Sequence, residues 1–136
     1  MIFNDSSKAL EVLSQAAELD PKAAPMWFKK GMAATLLKNW TTAEASLRHA
    51  LSLDSKSPDV WNQLGVTLVG KGNLEEALTC FRRGTSLNRK WAQGWVNEGV
   101  TLGCIGRFPE AIDRLDHAIK LDPREHTCWH WRAKIM

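Results

Sequence analysis

A spacing constrains this chain more than any other feature. Trp27, Trp61, Trp95 and Trp129 stand 34 residues apart. Gly31, Gly65 and Gly99 keep the same interval, as do Ala9, Ala43, Ala77 and Ala111. Two further columns read Leu13, Leu47, Phe81, Leu115 and Leu19, Leu53, Leu87, Leu121. Agreement in so many columns at one period signals a stacked repeat, in which each unit buries its apolar face against the next.

Within a period the residues point to helices. Ala9, Leu13 and Ala16 share one stripe at helical spacing, which predicts a helix from about Ser6 to Leu19. Pro25 suits the opening turn of a second helix, where its missing N–H costs nothing, and that helix runs to about Leu37. Thr41-Thr42-Ala43-Glu44 reads as a capping box opening a helix that ends near Leu53. Ser57-Pro58 offers a serine cap with proline just inside the next helix. Gly72-Asn73 separates two more helices, with Asn73 and Glu76 repeating the capping arrangement, and Gly106 before Phe108-Pro109-Glu110 does the same later. The connections are a few residues long, as antiparallel helix pairs require. No strand signal, low-complexity segment or long linker is present.

The recurring glycines sit in helix interiors, where each costs about 1 kcal/mol relative to alanine. That cost recurs because the missing side chain lets another helix approach. Ala43, Ala77 and Ala111 are the expected opposite surface, and the tryptophans are expected to supply the large buried area beside them.

Trp-x3-Gly followed twelve residues later by Ala-x3-Leu or Ala-x3-Phe resembles the tetratricopeptide repeat (TPR), a unit of two antiparallel helices. Leu19-Asp20-Pro21 and Leu121-Asp122-Pro123 close two units in the manner of that family. The resemblance covers essentially the whole chain: a half repeat at 1–23, repeats at 24–57, 58–91 and 92–125, and a half repeat at 126–136. It implies an all-α fold, a right-handed α-solenoid of tandem helix-turn-helix units with seven to eight helices. Departures are visible. The aromatic that often follows the tryptophan by seven residues is replaced by Ala34, Leu68, Leu102 and Met136. Ser55 and Arg89 stand in place of the closing proline, and the leucine before the glycine survives only as Leu64, with Lys30, Glu98 and Arg132 elsewhere.

The bulk numbers narrow the class of protein. Hydrophobic residues at 44% and charged residues at 24% suit a soluble folded chain. A net charge of +3 is too mild to argue for nucleic acid by itself. Three cysteines without metal-type spacing suggest a reducing, cytoplasmic compartment. The opening residues lack the pattern of a secretory signal, and no run approaches the length of a membrane span.

Stepping about 100° per residue along the helix opened by Pro25 puts Trp27, Gly31 and Ala34 on one packing face. Phe28, Met32 and Thr35 fall on a second face roughly 130° away. The later units carry Asn62, Val66 and Val69, then Val96, Val100 and Gly103, then His130 on that second face. Its chemistry changes from unit to unit while the packing face does not, so the architecture leaves it free for a partner. By resemblance this face lines the concave groove of a TPR superhelix, which holds extended peptides or partner helices in family members. The candidate groove residues are Phe28, Met32, Asn62, Gln63, Val66, Gln93, Val96, Asn97, Val100 and His130. The amides both donate and accept, so they can clamp a peptide backbone. The valines serve equally well as contacts with the neighbouring unit. Some relatives grip a C-terminal carboxylate with lysine, arginine and asparagine in these columns. Here Phe28, Met32, Gln63, Gln93 and Asn97 stand there, with no cation, so that clamp is absent.

Other signals are read as structural. The stretch from Gly65 to Gly72 approximates a phosphate-binding loop but lacks the Ser or Thr after Lys71 and a preceding strand. His126 and His130 lie one helical turn apart with Cys128 between them, yet structural zinc wants four ligands and no second pair matches. His49 and His117 occupy equivalent columns and are expected on an outer face. Arg82-Arg83 with Arg89-Lys90 is read as a solvated helix end, with RNA or an acidic partner as the alternative. Glu98 and Arg132 share a column of adjacent units and are expected to pair. No catalytic constellation, metal site or cofactor motif is assembled. The expected function is a non-catalytic scaffold binding a peptide or partner subunit in its groove. The alternatives are a substrate-recruiting fragment of a larger enzyme or regulator, and an RNA-binding scaffold with a basic edge. Unpartnered apolar faces at the two half repeats (Ala9, Leu13 and Ala16; Trp129, Ala133 and Met136) suggest a longer array or end-to-end self-association.

Overall fold

The computed structural model describes residues 2–124 and 126–135. Among them are eight helices and no strand: α1 (Ile2–Leu19), α2 (Ala24–Leu36), α3 (Trp40–Leu53), α4 (Pro58–Lys71), α5 (Leu74–Leu87), α6 (Ala92–Ile105), α7 (Phe108–Leu121) and α8 (His126–Ile135). The closest packing joins α2 to α3, α4 to α5 and α6 to α7, and consecutive pairs stack through α3 on α4, α5 on α6 and α7 on α8. The described residues form an all-α solenoid of stacked helix pairs.

Glycine and a bulky partner set the closeness of each pair. A Cβ built on Gly31 would lie 2.6 Å from Leu47 Cγ, on Gly65 2.5 Å from Phe81 Cε1, and on Gly99 2.9 Å from Leu115 Cγ. The surface opposite the glycines is therefore made chiefly by Leu47, Phe81 and Leu115 and not by the alanine side chains; of the alanine column only the Ala111 carbonyl comes near, 3.2 Å from a Cβ on Gly99. Ala43, Ala77 and Ala111 are fully buried, one helical turn before those side chains.

The tryptophans differ from expectation too. Trp27, Trp61 and Trp95 are half-buried, and Trp129 is 50% exposed. Each indole N–H donates to the carbonyl six residues earlier: Trp27 to Pro21 (2.9 Å), Trp61 to Ser55 (2.8 Å), Trp95 to Arg89 (2.8 Å) and Trp129 to Pro123 (3.1 Å). The acceptor is main chain, so Ser55 and Arg89 serve as well as proline. Each of the first three rings is also covered by the side chain 22 positions later. His49 lies 4.3 Å from Trp27 and His117 4.1 Å from Trp95, centroid to centroid, while the Arg83 guanidinium sits 5.7 Å from the Trp61 centroid.

The turns depart from the capping boxes. Helix α3 begins at Trp40, and its cap is Asn39, whose side chain accepts from Thr42 N at 3.4 Å. Ser57 and Asn73 occupy N-cap positions without a side-chain capping bond, and Arg107 takes that place before α7. Gly72 and Gly106 end α4 and α6 in the left-handed region, at φ 87° and 101°. Lys38, one period before Gly72, adopts φ 59° there without glycine's freedom. The stretch from Gly65 to Lys71 lies within α4, so it is no phosphate-binding loop.

At the ends, Ala9 and Ala133 are exposed and Leu13 and Ala16 half-buried, while Val12 is 62% and Leu19 87% exposed. Met136 lies outside the described residues.

Candidate functional site

The first helices of the pairs form one wall of the stack. Helix α2 touches α4, and α6 touches α8. Side chains join them: Thr35 to Thr67 hydroxyl at 3.0 Å across α2 and α4, and Asn97 Nδ2 to Asn62 Oδ1 at 2.6 Å across α6 and α4. The second helices are tied to each other by long exposed side chains instead, through Arg48–Glu76 (3.2 Å) and Arg82–Glu110 (3.3 Å). A stack drawn closer along one side bends toward it, which makes the α2, α4, α6 and α8 wall the inner one.

Five of the expected groove residues converge there. Val66, Gln93, Val96, Asn97 and Val100 surround a cavity of about 280 Å³, together with Val69, Leu74, Phe81, Thr101, Cys104 and Trp131. Val66 and Val69 are 38% and 40% exposed. Val96 is 1% exposed, and it also packs into the cluster of Leu115, Ala118 and Cys128, so it serves the stack as well as the cavity wall. The amides form a ladder: Gln93 Nε2 donates to Asn97 Oδ1 at 3.1 Å, and Asn97 in turn donates to Asn62. Asn97 is thus largely committed within the wall, while Asn62 and Gln93 stand at the ladder's ends.

The other expected residues do not line this cavity. Phe28 packs against the cluster of Leu47, Leu64 and Phe81 and lines a separate cleft with Pro25, Asp54 and Asp59. Met32 is 40% exposed, Gln63 is half-buried, and His130 is exposed with its ring edge-on to Trp131 at 5.8 Å. Trp131 and Cys104 were not selected from the sequence. Trp131 could have been found, because it stands one period after Asn97 and two after Gln63.

On the opposite side a second cleft, about 470 Å³, lies between α5 and α7 and is lined by Arg82, Arg89, Trp95, Glu98, Arg114 and His117. Glu98 forms its floor at 2% exposure. Its carboxylate lies 2.8 Å from Arg114 Nε and 3.8 Å from Arg82 Nε, and it accepts from the Thr85 hydroxyl at 3.0 Å. The expected Glu98–Arg132 pair does not form. Arg132 reaches back to Asp116 on α7, because Arg82 and Arg114 approach Glu98 from the two flanking helices. Burial pushes the Glu98 carboxyl above the usual range; the Thr85 hydrogen bond and the two arginines oppose this shift but do not cancel it. Arg82 and Arg83 of the basic cluster are engaged within the chain, Arg82 with Glu98 and Glu110 and Arg83 over Trp61.

Cysteine chemistry divides by depth. Cys80 is buried, and desolvation raises its thiol to about 11, whereas Cys104 is exposed. Cys128 is buried while His126 and His130 are exposed, so the three side chains do not converge. None of the described helices is long and apolar enough to cross a membrane.

Comparison with known proteins agrees with this architecture. One tetratricopeptide repeat model matches residues 3–58 and another residues 58–90. No curated protein matches the chain. Among solved structures, MamA is similar over 98% of this chain and 78% of its own, at 19% identity and a TM-score of 0.91. YrrB, a TPR protein with an unusual peptide-binding site, is similar over 98% of this chain and 69% of its own, at 22% identity and a TM-score of 0.82. The first TPR of Spaghetti (RPAP3), bound to an HSP90 peptide, is similar over 85% and 92% respectively, at 16% identity and a TM-score of 0.80. At these identities the likeness is one of fold. The two matching repeat models, the periodic helix pairs and the glycine-to-bulky-residue seam all place the chain in the tetratricopeptide repeat family.

Proposed function

We propose that this chain is a non-catalytic scaffold whose inner wall binds a peptide or an extended segment of a partner protein. One observation carries the reading. Apolar side chains stay uncovered on that wall beside a formed cavity, with Met32, Val66 and Val69 each 38–40% exposed. Contiguous apolar surface of this kind marks interaction sites. YrrB and the Spaghetti domain, which share the fold, bind peptides, and this supports the same class of partner here. No lysine or arginine lines the cavity, so a tail held by its carboxylate is a poor fit to it.

The test is selection of binders from a random displayed-peptide library on the immobilised chain. Binders that lose affinity with Met32→Lys or Val66→Lys, and keep it with the outer-face change Arg83→Ala, support the reading. Binders that respond to Arg83→Ala and ignore the inner-wall changes would sink it.

A further inference from the structure

The cavity on the inner wall adjoins another. A hollow of about 180 Å³ lies between α6, α7 and α8, beside Phe108 and Lys134. The two hollows share Val100, Cys104 and Trp131 as a common wall. At about 280 and 180 Å³, both fall below the roughly 300–1,000 Å³ of sites that enclose a small molecule. Each suits a single bulky side chain. The first is lined by no charged residue, and the second by Lys134 alone, which lies against the Trp131 ring at 5.2 Å from its centroid. Neither hollow offers a charged side chain of the partner more than that one committed cation.

The amide ladder indicates the partner's backbone state. Gln93 and Asn97 line the first hollow, and the ladder leaves amide groups of Gln93 and Asn62 unused at its ends. A helical partner satisfies its own N–H and C=O groups and has little use for such amides. An extended partner presents unpaired main chain, and its side chains at i and i+2 project from one face about 6.5–7 Å apart. Two adjoining hollows divided by one indole fit that pattern.

Resting on the proposed function, we infer that this end of the groove recognises an extended segment with an apolar-x-apolar pattern, one side chain on each side of Trp131. The partner class is an uncharged, bulky-residue motif internal to a chain, with no requirement for a free C-terminus.

The probes are acetylated, amidated decapeptides with Leu-Ser-Phe at the centre, compared with Leu-Ser-Ser-Ser-Phe and an all-serine core. Two readouts apply: fluorescence anisotropy, and the alkylation rate of the exposed Cys104, since Cys80 and Cys128 are buried. The Leu-Ser-Phe peptide should bind about tenfold more tightly than either control. Trp131→Ala should weaken it by about tenfold, as expected for loss of a central aromatic anchor. Cys104→Trp, which fills the shared wall from its exposed side, should do the same with helix content unchanged by circular dichroism. Saturating peptide should slow Cys104 alkylation. Equal binding of the three peptides, or unchanged Cys104 reactivity at saturation, overturns the inference. Binding that is lost with Met32→Lys yet ignores Trp131→Ala and Cys104→Trp overturns it and leaves the groove reading standing. No binding of any of the three peptides at about millimolar concentration overturns the inference and leaves the groove reading to the library selection.

Discussion

Two seams of this stack occupy the same place in the repeat and are built from opposite chemistry. At the seam between α3 and α5, Leu64 is 1% exposed and packs with Leu47, Cys80 and Phe81, with Leu51 against them. One period later Glu98 is 2% exposed, with Arg114 in the column of Cys80 and Thr85 in the column of Leu51. The outer ion pair is common to both, as Arg48–Glu76 at 3.2 Å and Arg82–Glu110 at 3.3 Å. In these two units a side chain of similar length reaches the same depth. The position accepts a carboxylate because two neighbours change with it, Cys80 to Arg114 and Leu51 to Thr85. An apolar side chain there contributes about 1.5–3 kcal/mol by burial, whereas a buried ion must first recover its lost hydration.

The sharpest way to break the comparison is to move the charge alone. Leu64→Glu should destabilise the chain by about 3–5 kcal/mol in urea unfolding, because Arg48, which stands one period before Arg82, is already shared by Glu44 and Glu76. Adding Cys80→Arg and Leu51→Thr, which copy the other seam, should recover a large part of that loss. No recovery would show that the seams differ in more than these side chains.

Next in size is the helix approach beneath each seam. Gly65→Ala should cost about 1–3 kcal/mol, since its Cβ would meet the flat Phe81 ring at 2.5 Å. Gly99→Ala should cost less, because its Cβ would meet Leu115 Cγ at 2.9 Å and the Ala111 carbonyl oxygen at 3.2 Å, both looser than the 2.5 Å approach at Phe81. Thermal melts of the two variants in parallel decide it.

Glu98→Gln should raise stability by about 1 kcal/mol at neutral pH and by less in acid. The folded-state carboxyl titrates above its unfolded value of 4.5, so the folded chain holds the proton longer. The favourable contribution is then present below the unfolded value and is lost as pH rises through the folded one. The difference in urea midpoint between the variant and the parent should widen over that window, and a constant difference would contradict the assignment. The smallest effect belongs to Arg48→Ala, about 0.5 kcal/mol and fading with added salt, as befits a half-exposed pair. Arg82→Ala should exceed it, since Arg82 also faces Glu98 at 3.8 Å.

The architecture was legible because its determinants are local and repeated. Gly31, Gly65 and Gly99 at one interval, each facing a Leu or Phe column at the same interval, leave little choice of packing. The second face was legible for the same reason: helical rotation puts Asn97 and Val100 on one side of α6, and the period puts Val66 at the place of Val100 on α4. The same columns hold Trp131, one period after Asn97 and two after Gln63. Reach was not legible. Glu98 selects Arg114 and Arg82 over Arg132, Asn97 selects Asn62, and Val96 divides itself between the stack and a cavity. A residue's angular position follows from its number, but the partner at the end of a long side chain depends on helix separations and tilts of an ångström or less. Those distances are set by the packing of every pair at once, so the linear order of residues carries the columns and the assembled stack alone chooses the contacts.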